Sequence, residues 1–413
     1  MKKKIEKKLF GSNYLILTPK IHSFGGFFES FLFGLKIKNF YNKKLILAIP
    51  FIDIFKHYKI DDRKFDYDLI LKVFFKLSFK EKIYSIFFSI WLNLNLILIR
   101  FKFRTLLKII FKINNIDDII FYKIGFSDKV ENNYNNYNLD NYNLVYQADI
   151  SEYLNNKSNS KIQNSQRSQK KICFCVKDKN YQKIKPISLN AVANIENYRE
   201  SLVYLLNNEY SIFRVGDSMM SKFSLDHKNY TDTTGLKNSY KELKDNMLKS
   251  NIYFGTSGSH TYAAELYNLK KIISNSIDFQ YLCASFNLNN WTIFKKIFDL
   301  KQKKFLSLYE IYELYNLIET DEKRFIYIEN DKEEIFDLLK NALNGLVFNK
   351  KHEERLKDFH EIRNHCVKKL KLLNKPSKLY EQAKTNIPFK YLENYLYQNS
   401  NLNELSLKFY KNI

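Results

Sequence analysis

The sequence contains little cysteine. Four cysteines occur among 413 residues, and they show no paired spacing of the kind that holds a zinc ion. Two of them, Cys173 and Cys175, lie inside one apolar run, which disfavours a framework of disulfide bonds. This distribution is typical of a reduced protein, so the sequence predicts a cytoplasmic location.

Two kinds of apolar segment are also missing. The basic residues 1–8 are followed by only two apolar residues before a glycine, which excludes the apolar core of a signal peptide. The most apolar stretch, residues 83–99, is interrupted by two asparagines and falls short of the about 20 apolar residues that a membrane-spanning helix needs. The sequence therefore predicts neither a cleaved leader nor a transmembrane helix.

Glycine is scarce as well, and two glycine-dependent phosphate motifs are absent. The 10 glycines form no Gly-x-Gly-x-x-Gly, which argues against a dinucleotide-dependent dehydrogenase. They also form no Gly-x-x-x-x-Gly-Lys-Ser/Thr, which argues against a P-loop nucleoside triphosphatase. A phosphate site in this chain must therefore be built differently.

Positive charge is abundant. Lysine and arginine number 67 against 44 acidic residues, a formal charge of +23, and aromatic residues make up 16% of the chain. Such a surplus indicates nucleic acid, an anionic membrane or an anionic substrate as partner. Part of it reflects a general bias toward Lys, Asn, Ile, Phe and Tyr, typical of AT-rich genomes. Residues 64–112 are both basic and apolar, which fits helices that cover a sheet or a segment that rests on an anionic bilayer.

The N-terminal residues predict an α/β unit. Residues 14–18 and 45–50 have the pattern of strands, and residues 27–36 that of a helix between them. A ligand at the carboxyl end of the first strand would meet His22, with Glu29 one turn into the helix. The alternative for His22 is a loop histidine that hydrogen-bonds nearby backbone.

After an Asn- and Ser-rich linker at 155–170, the same pattern restarts. Apolar runs at 171–176, 211–215 and 252–254 predict strands, and each is followed directly by polar or glycine residues. The carboxyl ends of parallel strands meet at one edge of a sheet, so these residues are expected to lie together. They are Lys177, Asp178, Arg214, Gly216, Asp217, Gly255, Thr256, Ser257, Gly258 and Ser259.

This predicted edge has the chemistry of a pyrophosphate site. Arg214 can bind phosphate oxygens with two parallel hydrogen bonds, and Lys177 can act as a point charge. Asp217 or Asp178 can accept a hydrogen bond from a sugar hydroxyl. The loop 255–259 precedes a helix, whose N-terminal N–H groups attract anions. The alternatives are a plain helix cap that binds nothing, a turn-capping Asp217 and a solvated Lys177.

Basic amphipathic helices are predicted for residues 331–373. They carry three histidines that lack the spacing of metal ligands and are expected at the surface, namely His352, His360 and His365.

The segments at 173–178, 194–198, 213–217 and 254–258 together resemble a family of bacterial glycosyltransferases found in surface-polysaccharide gene clusters. Residues 173–178 read Cys-Phe-Cys-Val-Lys-Asp where the family has Val-Arg-Asp, and 213–217 read Phe-Arg-Val-Gly-Asp where it has Ile-Arg-Met-Gly-Asp. Residues 254–258, Phe-Gly-Thr-Ser-Gly, stand where the family has Ile-Gly-Thr-Ser-Ser-Gly. The similarity covers about residues 171–300. Lys177 in place of arginine, and one serine fewer, leave the donor sugar open.

The resemblance implies two Rossmann-like domains that face a cleft, the GT-B architecture. The expected domains are 1–154 for the acceptor, a linker 155–170, 171–375 for the nucleotide-sugar, and a helical tail 376–413. It implies transfer of a sugar from a nucleotide-sugar to a glycan or lipid-linked glycan, with no metal and no other cofactor. The base would come from the first domain, with three candidates in the order His22, Glu29 and Asp53.

Two other functions stay open at this point. One is a basic protein that binds RNA or another polyanion, although no RRM-like or KH-like motif is present and no nucleic-acid partner is expected. The other is a nucleotide-sugar epimerase with a similar pair of domains, which would release an altered sugar without an acceptor. The basic apolar segment adds an expected peripheral contact with the inner face of the cytoplasmic membrane.

Overall fold

The structure, a computed structural model, divides the chain into two compact units. One consists of residues 1–165 with 266–268, and the other of residues 166–265 with 269–413. The division at residue 165 falls inside the predicted linker. The residues that the structure describes are 14–17, 31–49, 67–100, 148–154, 170–182, 192–235, 239–277, 290–321, 323–344, 350–369 and 385–396.

The first unit contains a parallel β-α-β arrangement. Strand β1 (Tyr14–Leu17) pairs with β2 (Lys44–Leu47), and helix α1 (Phe33–Phe40) lies between them in the chain. The apolar side chains of β2 are buried, which explains why this short run forms a strand. Helix α1 continues past its predicted end at residue 36, since Ile37 is buried. The remaining described helices are α2 (Tyr67–Lys76), α3 (Phe79–Arg100) and α4 (Ser151–Leu154).

The second unit is built on a parallel sheet of six strands in the order β5-β4-β3-β6-β7-β8. The central strands are short apolar runs buried on both faces, as the centre of a parallel sheet requires. This sheet confirms the predicted α/β class. The strands are β3 (Lys171–Cys175), β4 (Ser211–Arg214), β5 (Tyr230–Asp232), β6 (Ile252–Thr256), β7 (Lys270–Ser276) and β8 (Trp291–Phe294).

Helices connect these strands. A 3-10 turn (Ile195–Tyr198) begins at Asn194, whose side chain accepts a hydrogen bond from the Glu196 N–H. Buried leucines then hold α6 against the sheet. The connecting helices are α5 (Lys179–Gln182), α6 (Arg199–Asn207), α7 (Ser239–Lys249) and α8 (Ser259–Leu266).

The C-terminal part adds a small antiparallel sheet and further helices. Helix α9 begins with a capping box in which Ser307 and Glu310 satisfy each other's backbone N–H groups. The elements are β9 (Lys296–Asp299), β10 (Lys304–Phe305), α9 (Leu308–Glu313), α10 (Tyr315–Thr320), β11 (Phe325–Ile328), α11 (Lys332–Asn344), α12 (Lys350–Lys369) and α13 (Phe389–Leu396).

The last described helix packs into the second unit. The Tyr395 hydroxyl in α13 accepts a hydrogen bond from the Phe294 N–H at 2.8 Å.

The predicted surface position of His352 is wrong, because this side chain is 3% exposed and its Nε2 lies 2.8 Å from the Ile387 carbonyl oxygen. The partner comes from a segment distant in sequence, which the local pattern of α12 does not reveal.

Aromatic rings fill the space between the sheet and its helices. Phe174, Tyr198 and Phe254 lie with ring centroids 5.6 to 5.8 Å apart. The buried Tyr198 hydroxyl lies 2.7 Å from the Ser274 Oγ, at the carboxyl end of β7. The apolar core is therefore tied to the same edge of the sheet where the polar residues collect.

A reciprocal pair of asparagines fixes the end of β7. The Asn275 N–H donates to Asn330 Oδ1 at 2.6 Å, and the Asn330 N–H donates to Asn275 Oδ1 at 2.7 Å. Asn330 Nδ2 also donates to the Phe294 carbonyl at 3.0 Å. Both asparagines are 1% exposed, so water is not available to replace these bonds.

We expect Asn330→Ala to lower the free energy of unfolding by about 1 to 3 kcal/mol, because it removes the acceptor of the buried Asn275 N–H and one of the donors to the Phe294 carbonyl, which keeps its hydrogen bond from the Tyr395 hydroxyl. Urea unfolding measures this change. The side chain of the exposed Asn208 donates to the Tyr204 carbonyl of its own helix, so the control Asn208→Ala should cost about 0.5 kcal/mol or less. Equal effects of the two substitutions would show that the buried pair has no special weight.

Candidate functional site

The carboxyl ends of β4, β3 and β6 lie side by side. In the parallel register Phe174 of β3 pairs with Arg214 of β4, and Cys175 pairs with Gly255 of β6. The residues that follow these strands therefore meet at one edge of the sheet, as the sequence predicts. The ends of β7 and β8, with Lys295 directly after β8, continue the same edge.

Gly255 permits β6 to lie close to β3 at this edge. Its φ is +148°, and a Cβ at this position would lie 1.8 Å from the Cys175 carbonyl oxygen. No residue with a side chain fits there without separating β3 from β6. The glycine is therefore required by strand packing, which places the loop after β6 directly beside the end of β3.

Lys177 lies against this loop. Its backbone N–H donates to Thr256 Oγ1 at 3.1 Å, which ties the end of β3 to the end of β6. Its ammonium covers Gly258, since a Cβ on that glycine would lie 2.1 Å from Lys177 Nζ. Gly258 has φ +152°, so both space and backbone favour glycine here. A positive charge is thereby held at the N-terminus of α8.

The loop 255–259 is fixed by its own polar groups. The Tyr253 hydroxyl donates to the Thr256 carbonyl at 2.9 Å. The Gly258 carbonyl accepts from the Thr261 N–H at 2.9 Å and from its hydroxyl at 2.5 Å. The first turn of α8 is therefore formed in this structure, with the positive end of its dipole at the sheet edge. Ser257 is half-buried in the same loop.

Arg214 and Asp178 are buried and brace the neighbouring loop. Arg214 Nη1 lies 2.7 Å from Asp232 Oδ2, and Nη2 donates to the Ser221 carbonyl at 2.6 Å. Asp178 Oδ2 accepts from the Ser221 N–H at 2.5 Å. Arg214 is 1% exposed, and a phosphate-binding role would require it to exchange these partners. We assign it to holding the loop that follows β4.

Gly216 and Asp217 form the turn of that loop. Gly216 has φ +152°, and a Cβ there would lie 2.3 Å from Met220 Sδ. Asp217 Oδ1 accepts a hydrogen bond from the Met219 N–H at 3.1 Å. This is the turn-capping role that the sequence left open for Asp217.

His260 is a residue at this edge to which the sequence assigned no role. It lies in the first turn of α8, with Nδ1 3.6 Å from the Cys175 Sγ. Burial raises the pKa of the Cys175 thiol to about 12, although Lys177 and Arg214 oppose the shift. The thiol is therefore neutral and unsuited to act as a nucleophile. A single histidine without a metal-type spacing gave no signal in the sequence.

Lys295 is the other residue that the sequence missed. It follows β8, is 2% exposed, and donates from Nζ to the Val192 carbonyl at 2.5 Å. Burial lowers its pKa to about 8, while Glu329 raises it and Lys179 lowers it further. Because β8 was not predicted as a strand, this lysine could not be placed at the sheet edge from sequence.

Several predicted residues lie outside the described part of the chain. These are the three candidate bases His22, Glu29 and Asp53, and the side chain of Ser259. Within the described ranges, no group of three or more His, Cys, Asp or Glu residues is placed to hold a metal ion. The sequence has one Asp-x-Asp, at 66–68, whose side chains are also outside the described set. Transfer without a metal therefore stays a prediction.

We expect the free energy of unfolding to rise with pH because the Lys295 ammonium is buried in the folded protein. Its folded-state pKa is lowered to about 8, so between about pH 8 and pH 10 the unfolded chain binds more protons than the folded one. The free energy of unfolding should therefore rise by on the order of 2 kcal/mol across this range relative to Lys295→Met. Urea unfolding at a series of pH values measures the difference between the two proteins.

The exposed Lys301 provides the control for this measurement. Its ammonium is in water in both states, so Lys301→Met should follow the pH curve of the wild type. Parallel curves of the free energy of unfolding against pH for the wild type and Lys295→Met would contradict the claim that burial lowers the pKa of Lys295.

Comparisons of the chain with protein-family models, with curated proteins and with solved structures find no match. The edge formed by Lys177 and the loop 255–259 is therefore interpreted from its own geometry and from the sequence motifs.

Proposed function

We propose that this chain is a GT-B glycosyltransferase. It would move a sugar from a nucleotide-sugar to a surface-glycan acceptor, such as lipopolysaccharide, O-antigen or capsule, without a metal. The observation that carries this proposal is the Lys177 ammonium held over Gly258 at the N-terminus of α8. The sequence motifs at 173–178, 213–217 and 254–258 support it through their resemblance to such enzymes.

The pyrophosphate of the donor binds at the loop 255–259 in this proposal. The first N–H groups of α8 and the helix dipole attract an anion, and the Lys177 ammonium adds a full positive charge beside them. The side chains of Thr256 and Thr261 already bond within the protein, so the loop keeps its shape before a ligand arrives. A site that is formed in advance loses little free energy to ordering.

The same groups would stabilise the departing nucleoside diphosphate. Negative charge develops on the bridging oxygen as the glycosidic bond breaks, and donors aimed at this charge lower the barrier. Arg214 and Asp178 act indirectly, because their hydrogen bonds to Ser221 position the loop after β4 beside this site. Gly216 and Asp217 form the turn of that loop, which in this proposal contacts the parts of the nucleotide-sugar other than its pyrophosphate.

The acceptor hydroxyl needs a base in an inverting reaction. Under the GT-B proposal the base belongs to the first unit, and His22, Glu29 and Asp53 remain its candidates in that order. The second unit supplies the donor site.

We expect Lys177→Met to weaken nucleotide-sugar binding by about tenfold or more, because it removes a charged partner of the phosphates. UDP-, GDP-, ADP- and CMP-sugars are first screened by thermal shift on the full chain, and calorimetry then gives Kd for the donor with the largest shift. The control is Lys179→Met, two residues further and exposed, which should bind normally.

Four outcomes would contradict the proposal. No thermal shift with any of these donors, or equal affinity of Lys177→Met and the wild type, would remove the donor site. Binding of single-stranded RNA that falls steeply with salt, with no donor binding, would favour the polyanion function. Release of an altered free sugar from the donor without an acceptor would favour an epimerase.

A further inference from the structure

Helix α3 turns a polar stripe toward the sheet of the first unit. Glu81, Ser85, Ser89 and Asn93 repeat every four residues and so lie on one face of the helix. Their side chains bond the edge of β2 and the residues after it. The bonds run from the Leu45 N–H to Glu81 Oε1 at 2.7 Å, from the Leu47 N–H to Ser85 Oγ at 2.9 Å, from the Ile49 N–H to Ser89 Oγ at 2.9 Å, and from Asn93 Nδ2 to the Ile49 carbonyl at 2.8 Å.

These bonds fix the rotation of α3 about its axis. Glu81 is 9% exposed, Ser85 1% and Ser89 7%, so the polar stripe is the buried side of the helix. Burial alone would raise the pKa of the Glu81 carboxyl. The hydrogen bonds that this carboxyl accepts from the Ser78 hydroxyl, the Ser78 N–H and the Leu45 N–H outweigh burial, and the pKa is lowered. An amphipathic helix of a globular protein normally buries its apolar side instead.

The opposite side of α3 is apolar and exposed. At 100° per residue its members span an arc of about 100°, and from Phe79 to Leu94 they extend about 23 Å along the helix. We call this surface the α3 apolar face. Its residues, with their exposed fractions, are Phe79 (80%), Ile83 (50%), Ile86 (52%), Phe87 (63%), Ile90 (57%) and Leu94 (56%).

Helix α2, which precedes α3 in the chain, also carries exposed apolar side chains. Phe75 is 68% exposed and Leu71 is 46% exposed. Large apolar side chains at this density are uncommon on a protein surface that contacts only water. The α3 apolar face therefore has the character of an interaction surface.

The charges beside this face are positive. Lys80 lies on one border of the apolar arc and Lys82 on the other, at the positions that α-helical geometry gives them. Glu81 is the only acidic residue in the sequence of α3, and it is turned toward β2. An apolar arc bordered by lysines is the pattern of a helix that lies in the surface of an anionic bilayer.

We propose that the α3 apolar face binds the surface of an anionic lipid bilayer, with α3 lying in the plane of the membrane. Its aromatic and aliphatic side chains enter the acyl boundary while Lys80 and Lys82 meet the headgroups. A second copy of this chain suits the face less well. A symmetric pair would bring lysines together with no acidic residue of α3 to compensate them, in a chain of net charge +23.

The binding is superficial rather than spanning. Among the described residues, no helix combines the length and apolar content that crossing a bilayer demands. The polar stripe also keeps one side of α3 on the protein. This inference does not depend on the donor site, and its residues are separate from those that would bind the nucleotide-sugar.

Co-sedimentation of the full chain with vesicles tests the proposal. We expect binding to vesicles of phosphatidylglycerol mixed with phosphatidylcholine. The double variant Phe79→Gln and Phe87→Gln should lower this partitioning about tenfold or more, because both rings leave the acyl boundary. Lys80→Gln and Lys82→Gln should each lower partitioning onto anionic vesicles by about fivefold. Added salt should also lower this partitioning.

The control replaces exposed apolar residues of the second unit. Val203→Gln and Met219→Gln remove side chains of 41% and 56% exposure that lie outside the α3 apolar face, and they should leave vesicle binding unchanged. These positions are exposed, apart from the half-buried Lys82, so thermal unfolding of the variants at exposed positions should remain that of the wild type. Nucleotide-sugar binding by the Phe79 and Phe87 variant should also be normal, which separates this test from that of the donor site.

Two results would overturn the inference. One is the absence of vesicle binding, or vesicle binding that the Phe79 and Phe87 substitutions leave unchanged. The other is a lipid-free dimer, seen by sedimentation equilibrium, that the same substitutions dissociate, since the face would then belong to a second copy.

Discussion

The arrangement of the candidate site depends on one steric constraint between the two central strands. Strand β6 can run beside β3 at Cys175 only because Gly255 has no side chain, since a Cβ there would lie 1.8 Å from the Cys175 carbonyl oxygen. This approach lets the Lys177 N–H reach the Thr256 hydroxyl. It also sets the Lys177 ammonium over Gly258, at the start of α8.

Around this contact the structure separates bracing groups from binding groups. Arg214 and Asp178 are buried and hold Ser221 from two sides, which leaves Lys177 as the cation that lies against the loop 255–259. Lys295 contributes a further buried ammonium at the same edge. Lys177 and Lys295 thus place positive charge at the sheet edge where the proposed function requires an anion to bind. This local placement supports an anion site more strongly than the surplus of basic residues in the whole sequence does.

The sequence predicted the strand ends because parallel strands leave a simple pattern of an apolar run followed by polar residues. It did not predict the role of Arg214, since the partner Asp232 is 18 residues away in the chain and is brought near by the pairing of β4 with β5. It also did not reveal which side of α3 is buried. An apolar stripe normally indicates a core-facing side, whereas here serines and Glu81 bond the sheet.

Hydrogen–deuterium exchange of the full chain, with and without the nucleotide-sugar that stabilises it most, tests the central claim most directly. If the loop before α8 binds the pyrophosphate, the amides of residues 256–261 and those near Lys177 should exchange more slowly with donor present. Unchanged exchange in these segments, with a donor bound at saturating concentration, would contradict the site.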